Sequence, residues 1–244
     1  MPGKLFIVPT PVGNMSDMTP RALQVLSEAH TVYAEDTRVS GKLLAHFGID
    51  KPMVSFHKFN EHAILDKALQ QLHQGQIIAL VSDAGTPGIS DPGFLLTRAC
   101  RKEGIEVETL PGATAFVPAL VNSGLPCERF FFEGFLPAKK GRRTRLEQLA
   151  ALDVTFIIYE SPLRLVRTLE ELQEVCGAER PASVSREISK IHNTTINGTL
   201  QEIKEHFTVN NPRGEIVIIV EGNNAERPKR IHQNKYKDQN QDKK

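Results

Sequence analysis

Short apolar runs alternate with amphipathic stretches through the first half of the chain. The runs are four to six residues long and are typical of buried strands, whereas the stretches between them carry apolar residues at helical spacing. Regular alternation of this kind favours a mainly parallel sheet wound with helices. The predicted strands are 4–8, 31–34, 53–57, 76–81 and 105–110. Thr19 and Pro20 open the first predicted helix, as N-cap and first helical residue.

The second half keeps this mixed character after a turn signal at residues 123–126. Strands are predicted at 129–136, 154–159, 182–186, 194–198 and 214–221, and helices at 141–152, 162–175 and 200–207. We therefore predict an α/β fold with an N-terminal α/β domain at 1–123 and a C-terminal α/β domain at 124–222. Residues 223–244 are polar, with almost no apolar residue, and are predicted to be a disordered tail.

Composition limits the cellular setting of the protein. The chain has 244 residues, 40% of them hydrophobic, and a formal net charge of +1, which suits one large or two small soluble domains. We predict no membrane span, because no apolar run reaches about 18 residues, and we expect no signal peptide. The three cysteines are scattered and lack metal-type spacing, so we predict a reduced, cytoplasmic protein without a metal site.

Four turn-rich loops follow predicted strands, at 9–14, 35–38, 82–93 and 111–115. The carboxyl ends of parallel strands meet at one edge of a sheet, so these loops can line one cleft. The longest loop carries three glycines and two prolines, which is too constrained for a simple connector. Backbone amides and small side chains favour a neutral or zwitterionic, nucleoside-like ligand. Neither a triphosphate loop nor a dinucleotide fingerprint is present in the sequence.

Seven motifs in this order resemble the tetrapyrrole methylase superfamily of S-adenosylmethionine-dependent enzymes. They lie at 9–14, 34–38, 82–93, 111–115, 159–164, 185–190 and 213–215. The most specific are Ala-Glu-Asp-Thr-Arg and Ser-Asp-Ala-Gly-Thr-Pro-Gly-Ile-Ser-Asp-Pro-Gly, which favour the branch that 2'-O-methylates a decoding-region cytidine in 16S ribosomal RNA. Leu163 departs from that pattern, because a His is common at this position, and it is given no catalytic role.

The resemblance implies that S-adenosylmethionine binds in a cleft between two α/β domains, without a metal. It also implies a homodimer, with 16S rRNA in the small ribosomal subunit as partner. The donor site is then expected to contain Pro11, Gly13, Asp83, Ala84, Gly85, Ile89, Thr114, Ala115, Tyr159, Gly214 and Glu215. Asp83 has an alternative interpretation as a capping residue of its own loop.

Methyl transfer to a ribose hydroxyl benefits from a general base. The candidates are Asp36, Glu187 and Lys190. Lys190 would need a lowered pKa to act as a base. Glu187 and Lys190 could instead form a purely structural ion pair. Basic side chains are expected to hold RNA phosphates, although several of them could equally be solvated surface. The predicted RNA-binding residues are Arg38, Lys139, Lys140, Arg142, Arg143 and Arg186.

Two other interpretations remain open from the sequence. One is a superfamily enzyme that methylates a small tetrapyrrole, and the other is a non-enzymatic RNA- or ribosome-binding protein that has kept the fold. The basic residues disfavour the first, and the intact donor-loop motifs disfavour the second.

Overall fold

The first half of the molecule forms a five-stranded, fully parallel sheet. The structure is a computed structural model and describes residues 3–223. The strands are β1 (Lys4–Ile7), β2 (Thr31–Ala34), β3 (Met53–Ser55), β4 (Ile77–Val81) and β5 (Glu106–Thr109). The helices are α1 (Pro20–Glu28), α2 (Thr37–His46), α3 (Glu61–His73), α4 (Phe94–Lys102) and α5 (Phe116–Ser123). The spatial order β3-β2-β4-β1-β5 confirms the predicted parallel sheet and places its strand-end loops at one edge.

The second half forms another five-stranded sheet, which is mixed rather than parallel. Its strands are β6 (Phe130–Phe135), β7 (Thr155–Glu160), β8 (Pro181–Arg186), β9 (Thr194–Thr199) and β10 (Ile216–Val220). Its helices are α6 (Arg142–Ala150), α7 (Leu165–Cys176) and α8 (Leu200–Val209). In the order β6-β7-β10-β8-β9, only β6 and β7 pair in parallel. The helix predicted from 162 begins at Leu165, so Ser161 and Pro162 remain in a turn.

Apolar packing joins the two sheets. One core cluster lies on each face of the first sheet, and another lies under α6, α7 and α8. A fourth cluster crosses between the halves, and it includes Val12, Leu120, Ile157, Ile188 and Val217. Helix α5 packs on β8, β9 and β10 of the second sheet, although it precedes the predicted boundary at 123/124. That boundary stays a prediction, and α5 connects the two halves.

Helix caps follow the sequence signals. Thr19 accepts a hydrogen bond from the Ala22 N–H at 3.1 Å, with Pro20 as the first residue of α1, as predicted. Asp36 caps α2, and Thr199 with Glu202 forms a capping box on α8. Across residues 3–223, no helix combines the length and the apolar character needed to span a bilayer. The predicted polar tail, from 224 onward, lies outside the described residues.

Candidate active site

A cavity of about 470 Å³ lies between the two halves, at the strand-end edge of the parallel sheet. The first half contributes the loops after β1, β2, β4 and β5. The second half contributes the end of β6, the end of β7 with the turn after it, and the start of β10 with the turn before it. Nearly all of the predicted donor residues line this cavity. They are Asp83, Ala84, Gly85, Ile89, Thr114, Ala115, Tyr159, Gly214 and Glu215.

Pro11 and Gly13, the other two predicted donor residues, do not line this cavity. They line a neighbouring cavity of about 120 Å³ instead, and Asp83 borders both. Gly13 lies under Lys190, since a Cβ at this position would come within 2.3 Å of the Lys190 Cγ. This glycine therefore makes room for a side chain from the second half. Val12 is the residue of this loop that reaches the larger cavity.

The long loop after β4 is tied to its neighbours by hydrogen bonds. Thr10 and Gly85 exchange two backbone hydrogen bonds of 2.9 Å, and Gly85 adopts a left-handed φ of 84°. The Thr10 hydroxyl donates to the Ser82 carbonyl at 3.1 Å, and the Thr86 hydroxyl donates to the Ala113 carbonyl at 3.0 Å. Three strand-end loops are thereby held together as one wall, which a preorganised ligand site requires.

Three carboxylates gather on this wall: Glu35, Asp83 and Asp91. Burial and the neighbouring Glu35 and Asp83 raise the pKa of Asp91 to about 7. Burial also raises the pKa of Glu35, with Asp83 adding to it, and burial raises the pKa of Asp83. Within residues 3–223 none of the three forms a salt bridge, and no group of His, Cys, Asp and Glu is arranged to hold a metal. We call these three residues the acidic wall.

The sequence prediction missed Glu35 and Asp91 as site residues. Glu35 follows β2 and Asp91 lies in the loop after β4, and these two strands are neighbours in the sheet. Strand order is a non-local property, so the sequence pattern placed both loops at one cleft without showing that these two carboxylates meet there. The only available signal was that each of the two most specific motifs contains an acidic residue without an assigned role, Glu35 in 34–38 and Asp91 in 82–93.

Aromatic side chains form the opposite side of the cavity. Tyr159 at the end of β7 contacts Phe132 and Phe135 edge to face, with ring centroids 5.2 and 5.6 Å apart. Phe116 stacks at a tilt on Phe132, and Phe116, Phe135 and Tyr159 line the cavity. Burial raises the pKa of Tyr159 to about 12, so its hydroxyl stays protonated. This side offers aromatic ring surface to a ligand.

Glu160, next to Tyr159, is buried in a hydrogen-bonded network. Its carboxylate accepts bonds of 2.7 Å from the Ser161 N–H, the Arg164 guanidinium and the Thr168 hydroxyl. Arg142 lies 3.6 Å away and pairs with Glu171 at 2.6 Å. The network fixes the Ser161 turn, which lines the cavity.

Arg142 was predicted to bind RNA, but its side chain is buried. It is only 5% exposed, and its guanidinium is consumed by Glu171, Glu160, Thr168 and the Pro137 carbonyl. A guanidinium buried in this way cannot reach a phosphate. Its neighbour Arg143 remains exposed, although it pairs with Glu147 and Glu174.

The three predicted general bases lie outside the cavity and are ion-paired. Lys190 bonds to Glu187 at 2.9 Å and to Glu215 at 3.1 Å. Burial works against its charge, but these hydrogen bonds outweigh burial and raise the pKa of Lys190, the reverse of what a base needs. Glu187 is held by Lys190 and by the Glu215 N–H, which lower its pKa. Arg38 holds the pKa of Asp36 at about 2.

The remaining predicted RNA contacts are solvent-facing side chains. Lys139 and Lys140 are exposed just before α6. Arg38 is 87% exposed and pairs only with Asp36 among the described residues. Arg186 at the end of β8 donates to the Thr194 hydroxyl. Their geometry leaves room for phosphate, and RNA contact at these residues stays a prediction.

Residues 4–204 match the family model described as Tetrapyrrole (Corrin/Porphyrin) Methylases. The chain belongs to the tetrapyrrole methylase family. This confirms the resemblance inferred from the seven motifs.

Relatives at high identity carry the name ribosomal RNA small subunit methyltransferase I. The Synechocystis sp. protein is 49% identical over 90% of this chain and 79% of the relative. The Thermotoga maritima protein is 42% identical over 90% of this chain and 99% of the relative.

Solved structures of family members share the two-sheet fold. Uroporphyrin-III C-methyl transferase from Thermus thermophilus, complexed with S-adenyl homocysteine, has a TM-score of 0.63 at 21% identity, covering 91% of this chain and 98% of that one. The cobalamin biosynthetic enzyme cobalt precorrin-4 methyltransferase has a TM-score of 0.65 at 17% identity, covering 89% and 94%. These similarities confirm the predicted α/β fold with two sheets.

Proposed function

We propose that this protein transfers a methyl group from S-adenosylmethionine to the ribose 2'-oxygen of a cytidine in 16S ribosomal RNA of the small subunit, in the cytoplasm. The observation that carries the proposal is the cavity between the sheets, with an acidic wall facing an aromatic one. The names of the relatives supply the acceptor class, since they describe methyltransferases of small-subunit ribosomal RNA.

The acidic wall suits the donor because the donor carries positive charge. S-adenosylmethionine has a sulfonium and an ammonium group, and either one beside Glu35, Asp83 and Asp91 would offset the repulsion between these carboxylates. The aromatic side would take the adenine ring. The cavity volume of about 470 Å³ falls within the usual range for cofactor sites of this size.

The wall also suits the proton that the reaction releases. In the transfer, the bond from the methyl carbon to sulfur breaks and a bond to the ribose oxygen forms, which leaves a neutral thioether and frees the hydroxyl proton. Once the sulfonium charge is gone, the pKa of Asp91 returns toward about 7, where a carboxylate accepts a proton readily. With this pKa, Asp91 is better suited to accept a proton than Asp36, Glu187 or Lys190, which are ion-paired outside the cavity. Those three residues would position the acceptor strand.

Phosphate contacts are assigned to the exposed basic side chains Arg38, Lys139, Lys140, Arg143 and Arg186. Each phosphate contact releases counterions, so replacing Lys139 and Lys140 by Gln should reduce the salt dependence of RNA binding, with a slope lower by about 1.4 for two contacts to single-stranded RNA. Donor affinity should not change. A slope equal to that of the parent would reassign both lysines to solvated surface.

A homodimer is also part of the proposal. β6 is an edge strand of the second sheet, and its Phe130, which does not line the cavity, is 43% exposed. Exposed aromatic residues on an open edge are typical of a surface that another chain covers. Sedimentation at micromolar concentration should give a dimer, and Phe130→Glu should shift it toward monomer.

The deciding experiment is a methylation assay with S-adenosylmethionine on unmethylated small ribosomal subunits, followed by mass mapping of the RNA. We expect one methyl group on the ribose of a cytidine. A methyl group on a base atom would contradict the 2'-oxygen assignment. Methylation of a tetrapyrrole in a parallel reaction, with no methyl group on the RNA, would show that the acceptor is a tetrapyrrole and not ribosomal RNA.

A further inference from the structure

A second, smaller cavity of about 120 Å³ opens beside the donor cavity. It lies between the loop after β1 and the first turns of α2, and Asp83 lines both cavities. Its other lining residues are Thr10, Pro11, Gly13, Met15, Val39, Ser40, Leu43 and Ser82. We call it the side cavity. Its volume is that of about four water molecules in the liquid, too little for the donor and enough for one small planar ring.

The lining of the side cavity is apolar at the mouth and contains an unpaired hydroxyl. Met15 and Val39 flank it and are 43% and 42% exposed, so both side chains can contact a ligand that enters the cavity. Ser40 is only 2% exposed, and its Oγ has no hydrogen-bond partner in residues 3–223. Buried hydroxyls without partners are rare, because losing the bond to water costs about 1–3 kcal/mol.

The predicted acceptor-side residues border this cavity from two directions. Arg38 directly precedes Val39 and Asp36 lies three residues before it, and the Asp36 N–H donates to Asp83 at 3.1 Å. Lys190 comes from the second half and covers Gly13, which lines the cavity. Charged groups able to hold a ribose and its phosphates therefore surround a small apolar recess that adjoins the donor.

We propose that the side cavity takes the unstacked base of the nucleotide that is methylated, with its ribose held at Asp83 where the two cavities meet. Met15, Val39 and Leu43 would pack on the ring, and the Ser40 hydroxyl, which is closed off from solvent in the free protein, would rotate into the cavity to bond to the edge of the ring. The inference rests on the proposed function and specifies its acceptor site. Proteins that act on a single nucleotide extrude it into a close-fitting pocket, and single-stranded RNA is read through unstacked bases. A recess of this size favours the single ring of a pyrimidine over the double ring of a purine.

The test uses small ribosomal subunits and measures kcat/KM for the subunit together with donor affinity. Val39→Trp fills the mouth and should lower kcat/KM at least about tenfold, because a displaced acceptor loses alignment with the methyl group. Ser40→Ala removes one hydrogen bond and should lower kcat/KM about 2- to 10-fold without lowering the melting temperature. Val209→Trp, the same substitution on an exposed residue of α8 that lines neither cavity, is the control and should match the parent.

A gain of function separates base recognition from a structural role. On subunits carrying guanosine in place of the methylated cytidine, the parent should be inactive, and Val39→Ala should restore measurable methylation by widening the mouth. The inference is overturned if Val39→Trp and Ser40→Ala bind the donor and methylate cytidine subunits as the parent does, which leaves the proposed function intact. If the parent itself methylates no ribosomal RNA, both proposals fail.

Discussion

The carboxylates on the two sides of the cavity between the sheets differ in whether they form salt bridges. On the first-half side, Glu35, Asp83 and Asp91 have raised pKa values and no salt bridge within residues 3–223. On the second-half side, Glu160 is buried against Arg142, Arg164 and Thr168, with its charge fully compensated. Compensated charge fixes a backbone turn in place. A group of carboxylates without a salt bridge lowers stability and is retained where a cationic ligand is expected, a trade between stability and function.

The largest effect should come from breaking the compensated side. Glu160→Ala leaves the Ser161 N–H and the Thr168 hydroxyl without their acceptor and frees the Ser161 turn, while Arg142 keeps Glu171, so we expect a loss of about 3 kcal/mol in the free energy of unfolding. Denaturant titration measures it. Glu147→Ala removes the carboxylate of an exposed pair with Arg143 and should cost less than about 1 kcal/mol. Equal losses in the two variants would show that the Glu160 network is not structural.

A change of shape on the acidic side should abolish donor binding. Gly85→Val places a branched side chain at the cavity wall, where its Cβ would lie 3.5 Å from the Val12 Cγ1. The substitution also strains a backbone in the left-handed region. We expect donor affinity to fall about 100-fold or more in calorimetry. Gly104→Val is the matched control, because Gly104 has a similar φ of 71° and open space around it. It should lose stability in the same way and keep donor affinity.

A smaller effect, of opposite sign, is expected on the uncompensated side. Because the folded pKa of Asp91 is raised to about 7 from an ordinary 3.8, its ionisation destabilises the fold, with no effect below about pH 4 and the full effect above about pH 7. Asp91→Asn should therefore stabilise the protein by about 1–2 kcal/mol at pH 8, allowing for partial solvent screening, and by little at pH 4. Thermal unfolding at both pH values measures it. Lower stability at pH 8 would mean that Asp91 is compensated after all.

Local patterns account for what could be predicted from the sequence. Apolar periodicity defined the strands of both sheets, and Thr19 with Pro20 marked the start of α1. The composition of the loop at 82–93 placed Asp83, Ala84 and Gly85 at a ligand cavity, where they lie.

What escaped prediction depends on contacts between distant segments. The acidic wall forms because β2 and β4 are neighbours, which no local pattern encodes. Arg142 belongs to a basic stretch that resembles solvated surface, yet α6 packs on α7 and buries this one guanidinium against Glu171. Gly13 and Lys190 are 177 residues apart in the sequence and meet only because the halves pack together.

The most direct test of the acidic wall compares two ligands that differ only in the sulfonium methyl group. Affinities for S-adenosylmethionine and S-adenosylhomocysteine are measured by calorimetry from pH 6 to 8.5, in the parent and in Asp91→Asn. Since ionised Asp91 favours the sulfonium, the ratio of the two affinities should rise with pH through about 7 in the parent, by up to about tenfold, and stay flat in the variant. A ratio that is independent of pH in the parent would contradict recognition of the sulfonium by this wall.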